Sequence, residues 1–114
     1  MARWELYVEC KFRCVYCGFD GRPQQAWWIF TDDHIVPREL WNLRQTSDPD
    51  TPLNLALACS GCNSTKKHFD PTDGGRDPLT QESRDRLIER AREYIAEKRA
   101  AWSEDFRRKV LDKL

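Results

Sequence analysis

Apolar and polar positions change rhythm several times along this chain, and the rhythm divides it into elements. In RWELYVECKF (3–12) apolar side chains recur at Trp4, Tyr7 or Val8, and Phe12, a helical spacing that leads towards the first cysteine pair. Gly18, Gly21 and Pro23 mark turns. AWWIFT (26–31) is aromatic and β-branched, which predicts a strand, and it runs into DDHIVPR so that His34 falls at the strand end. From Arg38 to Pro52, Thr, Ser, Asp and prolines read as a surface loop after a brief LWNL stretch. NLALAC (54–59) is a second strand, SGCNSTKKHF (60–69) starts a helix, and DPTDGGRDPL (70–79) breaks the pattern.

From Thr80 the chain changes in kind. Thr80 can cap a helix, and Leu87, Ile88, Ala91, Ile95, Trp102, Phe106 and Val110 follow at intervals near three or four, opposite a face laced with Glu and Arg. Ser103 is a point where this stretch could divide into two helices. Such a stripe reads first as a core contact, with a partner-binding or dimer helix as the alternative. The expected organisation is a core over 1–78 and a helical extension over 79–114 packing on it, with no internal repeats.

Composition narrows the class. With 39% hydrophobic and 33% charged residues in 114, there is little apolar material for a large core, and a chain this short needs a staple. No stretch approaches the roughly 20 apolar residues that span a bilayer, so no membrane partner is expected. Glu5 and Glu9 interrupt the apolar run a signal peptide would need, so a cytoplasmic location is expected. Five cysteines cannot all pair as disulfides. Four fall in two tight pairs, Cys14 with Cys17 in CVYCG and Cys59 with Cys62 in CSGCN, while Cys10 stands apart as a small buried residue. Paired CxxC knuckles point to a tetrahedral zinc site, against the alternative of disulfides or free thiols.

Charge argues less clearly. The 19 Lys and Arg are balanced by 19 Asp and Glu, and four thiolates around one Zn2+ would leave the chain acidic. Binding DNA through phosphate contacts would then require a locally basic groove.

Three further segments acquire meaning from their order beside the knuckles: DDHIVP, Asn54 in PLNLALAC, and CSGCNSTK. Alone, each has a plain structural reading, as a hydrogen-bonded histidine, a turn asparagine and a helix-end asparagine. Together, over residues 10 to 68, they resemble the HNH endonuclease family. The resemblance implies an α+β fold: a small ββα-metal core stapled by a four-cysteine zinc site, with an N-terminal helix and a long C-terminal helical tail. It implies structural Zn2+ on Cys14, Cys17, Cys59 and Cys62, and a catalytic Mg2+ or Mn2+ on Asp33 and Asn63. His34 would be the general base, and Asn54 would brace the loop holding His34 through backbone hydrogen bonds. Lys66 would lie on the helix face of Asn63 and meet a phosphate or developing charge. Where the last letter of the family name is often histidine, this chain has Asn63, a hard neutral ligand that leans towards magnesium. His68 falls off that helix face.

The chemistry agrees with the pattern. An imidazole can take a proton from water near neutral pH, and a hard cation absorbs charge on the phosphate and the leaving oxygen. Neighbouring strand residues point to opposite sides, so the strand end must twist for Asp33 and His34 to face one phosphate. The expected activity is hydrolysis of DNA strands. The alternatives are a non-catalytic zinc module that binds nucleic acid or protein, and a component whose C-terminal helices dock a protein partner or a second copy.

Overall fold

LALAC is apolar at every position, and it becomes the buried centre of the molecule. The computed structural model describes residues 3–41, 48–75 and 78–114. Strand β1 (Phe30–His34) pairs antiparallel with β2 (Leu55–Cys59), Phe30 opposite Cys59 and His34 opposite Leu55. All five β2 residues are buried. Two strands alone are marginal in water, so helices must cover them.

This pairing moves β1 away from the segment that strand propensity selects. Trp27–Ile29 form a 3-10 turn, and the strand begins only at Phe30. The cause is the partner: β2 ends at Cys59, which caps the next helix, so residues before Phe30 have no ladder to join. The charged DDH triplet is drawn into the strand instead, paired with Leu57, Ala56 and Leu55.

Helix α1 (Arg3–Glu9) stops earlier than its spacing suggests, because Lys11 and Phe12 take positive φ and turn the chain towards the first knuckle. Leu6 and Tyr7 are its buried contacts with the core. The LWNL stretch opens within the short helix α2 (Arg38–Trp41); residues 42–47 of that loop lie outside the described residues. Helix α3 (Ser60–Lys66) starts on Cys59 and ends at Lys67, whose φ is 47°. The breaker segment turns at Pro71–Gly74 around the Asp70 carboxylate, which accepts from the Thr72 and Gly74 amides.

Helix α4 (Gln81–Lys109) is continuous through Ser103 and does not divide there. A serine inside a helix costs only a few tenths of a kcal/mol relative to better formers, and Arg107 and Arg108 reach back to Glu104 and Asp105 across that turn. Its start is a reciprocal cap: Thr80 Oγ1 accepts from the Ser83 amide and Ser83 Oγ from the Thr80 amide. The apolar stripe behaves in two ways. Ile88, Ala91 and Ile95 are buried in the core, whereas Trp102, Phe106 and Val110 are exposed, so the expected core contact ends about halfway along the helix. Among the described residues, no helix is long and apolar enough to cross a membrane.

Candidate metal centre and catalytic cleft

Each CxxC pair sits where the backbone bends back on itself. In the first, the Gly18 amide returns to the Cys14 carbonyl, and Gly18 has a φ of 78° that a side chain would oppose. In the second, Cys59 is the last residue of β2 and Cys62 lies in the first turn of α3, its amide donating to Cys59 Sγ. The Val15 amide bonds the Leu57 carbonyl and so docks the first knuckle onto β2. The ligand sulfurs of Cys14, Cys17, Cys59 and Cys62 all lie within 4.8 Å of one another, with Cys17 and Cys59 3.7 Å apart. Four sulfurs about 2.3 Å from a central ion stand roughly 3.8 Å apart in a tetrahedron. The cluster is therefore positioned to hold a metal ion, and an all-sulfur donor set suits zinc.

Helix α4 reaches over this centre. Arg92 donates to the Val15 carbonyl at 2.6 Å, Arg84 to the Leu55 carbonyl at 3.0 Å, and Arg99 to Cys62 Sγ at 3.5 Å. A guanidinium beside the sulfurs offsets the negative charge four thiolates carry. Cys10 is half-buried against the core, and burial pushes its thiol up, as expected of a packing residue.

The end of β1 divides three acidic and basic side chains. Asp32 is exposed, Asp33 is buried and His34 is half-buried. Asp33 Oδ2 accepts from the Tyr16 hydroxyl at 2.5 Å and lies 3.2 Å from Lys66 Nζ, which also reaches Oδ1 at 3.5 Å. Burial pushes the Asp33 carboxyl up, while the Lys66 ammonium and the Tyr16 hydroxyl pull it back. Burial, and then the Asp33 charge, hold Tyr16 well above the ordinary phenol range, so it stays a donor.

Lys66 differs from its sequence expectation. Its side chain is 1% exposed, and its ammonium bonds Asp33 and the His34 carbonyl at 3.0 Å. It is an internal cation rather than a phosphate contact, because α3 packs that face against β1. Among the described residues, Lys67 and Arg38 are the cations that line the cleft.

His34 Nε2 pairs with Asp50 Oδ1 at 2.7 Å, a contact that lowers the Asp50 carboxyl. A carboxylate only accepts, so this bond places the proton on Nε2 and leaves Nδ1 as the basic nitrogen. Asn54 is fully buried behind this turn. Its Oδ1 accepts from the Val36 amide at 2.8 Å, and its Nδ2 donates to the carbonyls of Val36 and Pro49 at 3.1 and 3.0 Å. Its own carbonyl accepts from the Ile35 amide. The segment after His34 is thereby tied to Pro49, the residue before Asp50.

Asn63 is exposed on α3 and shares a cleft of about 430 Å3 with Asp32, Asp33 and His34. Asp33 and Asn63 offer one carboxylate and one carboxamide from facing elements, a hard-oxygen pair that fits a cation retaining several waters. Oδ1 is the less engaged oxygen of Asp33. His68 pairs with Glu39 at the rim. Tyr16, Asp50 and Arg38 are not singled out by the sequence. Of these only Tyr16 carried a signal, its place between two metal-binding cysteines.

An antiparallel strand pair running into a short helix, clamped by four cysteines and opening on Asp, His and Asn side chains, defines a metal-stapled ββα unit. Residues 14–69 match the model of the HNH endonuclease family, and this segment is an HNH domain, a type characteristic of nucleases. No curated protein and no solved structure matches the chain.

Proposed function

We propose that the protein is a metal-dependent endonuclease that hydrolyses DNA phosphodiester bonds. The observation that carries this reading is the shared cleft: His34 and Asp33 arrive from β1 and Asn63 from α3, within an HNH domain. His34 is the general base, taking a proton from water at Nδ1 while Asp50 holds Nε2. Asp33 and Asn63 are the protein ligands of a divalent cation, Mg2+ or Mn2+. Such a cation would supply Lewis acidity towards the phosphate and the leaving oxygen. Asn54 keeps the turn after His34 in place, and Arg38 and Lys67 draw the DNA backbone to an otherwise acidic rim. Zinc on the four cysteines has a structural part only. Residues 1–78 form the nuclease core, and 79–114 brace it through Arg84, Arg92 and Arg99. The setting proposed for this chemistry is the cytoplasm.

One observation favours a second reading. Asp33 is internally paired with Tyr16 and Lys66, which would suit a non-catalytic module that binds nucleic acid without cutting it. End-labelled duplex DNA, single-stranded DNA and RNA, each incubated with the zinc-loaded protein and Mg2+ or Mn2+, separate the two. The nuclease yields metal-dependent DNA fragments with 5′-phosphate ends. A folded protein that retards duplex DNA yet leaves it whole is the binding module.

A further inference from the structure

Among the described residues, both hydrogen-bonding partners of the Asp33 carboxylate lie beside the cysteine knuckles. Tyr16 lies between Cys14 and Cys17, and Lys66 lies four residues past Cys62 on α3, the helix capped by Cys59. The two differ in what they do to the carboxylate. Lys66 is a buried cation that balances its charge, and a cation beside the cleft opposes a second one electrostatically. Tyr16 is neutral. Its hydroxyl, 2.5 Å from Oδ2, fixes where the carboxylate points without repelling a metal ion. The Tyr16 ring is buried, and phenylalanine would fill the same space, so packing alone does not require the hydroxyl.

We propose that Tyr16 is a positioning residue that connects the four-cysteine centre to the cleft, orienting Asp33 so that its less engaged oxygen can serve a divalent cation. This inference rests on the assignment of Asp33 as a ligand. An ion on the four sulfurs immobilises the first knuckle, the knuckle places Tyr16, and Tyr16 places Asp33. The consequence is that the cleft's affinity for its cation depends on a hydroxyl that touches neither substrate nor ion. Groups that orient a metal ligand in this way commonly change affinity by about 10–100-fold when removed.

The test is Mn2+ binding by the zinc-loaded protein, followed by electron paramagnetic resonance, for wild type, Tyr16→Phe and Asp33→Asn. The expected result is a Kd about tenfold or more weaker in Tyr16→Phe, with one zinc per chain retained. Nicking by this variant is then restored towards the wild-type rate at saturating Mn2+, a change in metal requirement rather than in kcat. Unchanged Mn2+ affinity in Tyr16→Phe, with binding lost in Asp33→Asn, overturns the role of Tyr16 and leaves the ligand assignment standing. Wild-type binding that Asp33→Asn does not alter overturns both. A measurement on the unaltered chain covers the case in which Tyr16→Phe fails to fold: with tyrosine labelled at the ring carbon bearing oxygen, the Tyr16 resonance should move on adding Mg2+. It should stay fixed in Asp33→Asn, and a wild-type resonance indifferent to Mg2+ would overturn the proposal.

Discussion

Asn54 satisfies both backbone groups of Val36, accepting from its amide and donating to its carbonyl, as a neighbouring strand would do. One carboxamide thus replaces a ladder rung just past the end of β1, where the sheet has stopped and His34 must still be held. Replacing Asn54 by Ala leaves buried donors and acceptors without partners. An unfolding free energy lower by about 2–3 kcal/mol is expected, near the upper end for such losses. Urea titration of the zinc-loaded protein checks it, and a loss under about 0.5 kcal/mol would show that the carboxamide is not what secures the turn.

Lys66 and Asp33 form a buried ion pair, and removing one partner strands the other's charge. Lys66→Met should therefore destabilise the fold by about 3–5 kcal/mol near neutral pH. Adding Asp33→Asn to it should recover much of that loss, because the uncompensated charge has gone. The double-mutant cycle measures this coupling directly, and additive effects would contradict it.

The four cysteines are the staple of a core built on two short strands. Removing their ion with a chelator should release one zinc per chain, detectable with a chromogenic zinc reagent. The cooperative melting transition should fall sharply and return on adding stoichiometric Zn2+, since an ion bound to the folded state alone stabilises it. Cys59→Ser should reproduce the loss, and identical melting with and without zinc would count against a structural role.

Helix α4 should be energetically uneven. Ile95→Ala, in the core, is expected to cost about 2–4 kcal/mol. Trp102→Ala and Phe106→Ala, both exposed, should change stability by no more than about 0.5 kcal/mol. Equal losses at the three positions would mean that the outer half of the helix is covered.

Much of this architecture is legible in the sequence because its determinants are local. The knuckle spacing brings two sulfurs together within each pair, LALAC is uniformly apolar, and Thr80 begins its helix with a side-chain cap. What was not legible depends on pairs distant along the chain. Trp27–Ile29 have strand propensity yet lie outside the sheet, because β2 provides no partner beyond Cys59. Lys66 has the look of a phosphate contact until α3 packs against β1 and turns it inward. Asp50 lies in a polar loop with nothing to distinguish it from Asp48, and only the fold brings it to His34. Neighbouring strand residues alternate here only in part: Asp33 turns inward and His34 less so, yet both reach the cleft because the strand ends there.

If His34 works as the base of a metal-dependent nuclease, its replacement should show in the nicking of supercoiled plasmid by the zinc-loaded protein. Open-circular product is expected with Mg2+ or Mn2+, none after the cleft metal is withheld, and a rate at least about 100-fold lower for His34→Ala at unchanged zinc content. Nicking by His34→Ala at the wild-type rate would mean that His34 is not the base.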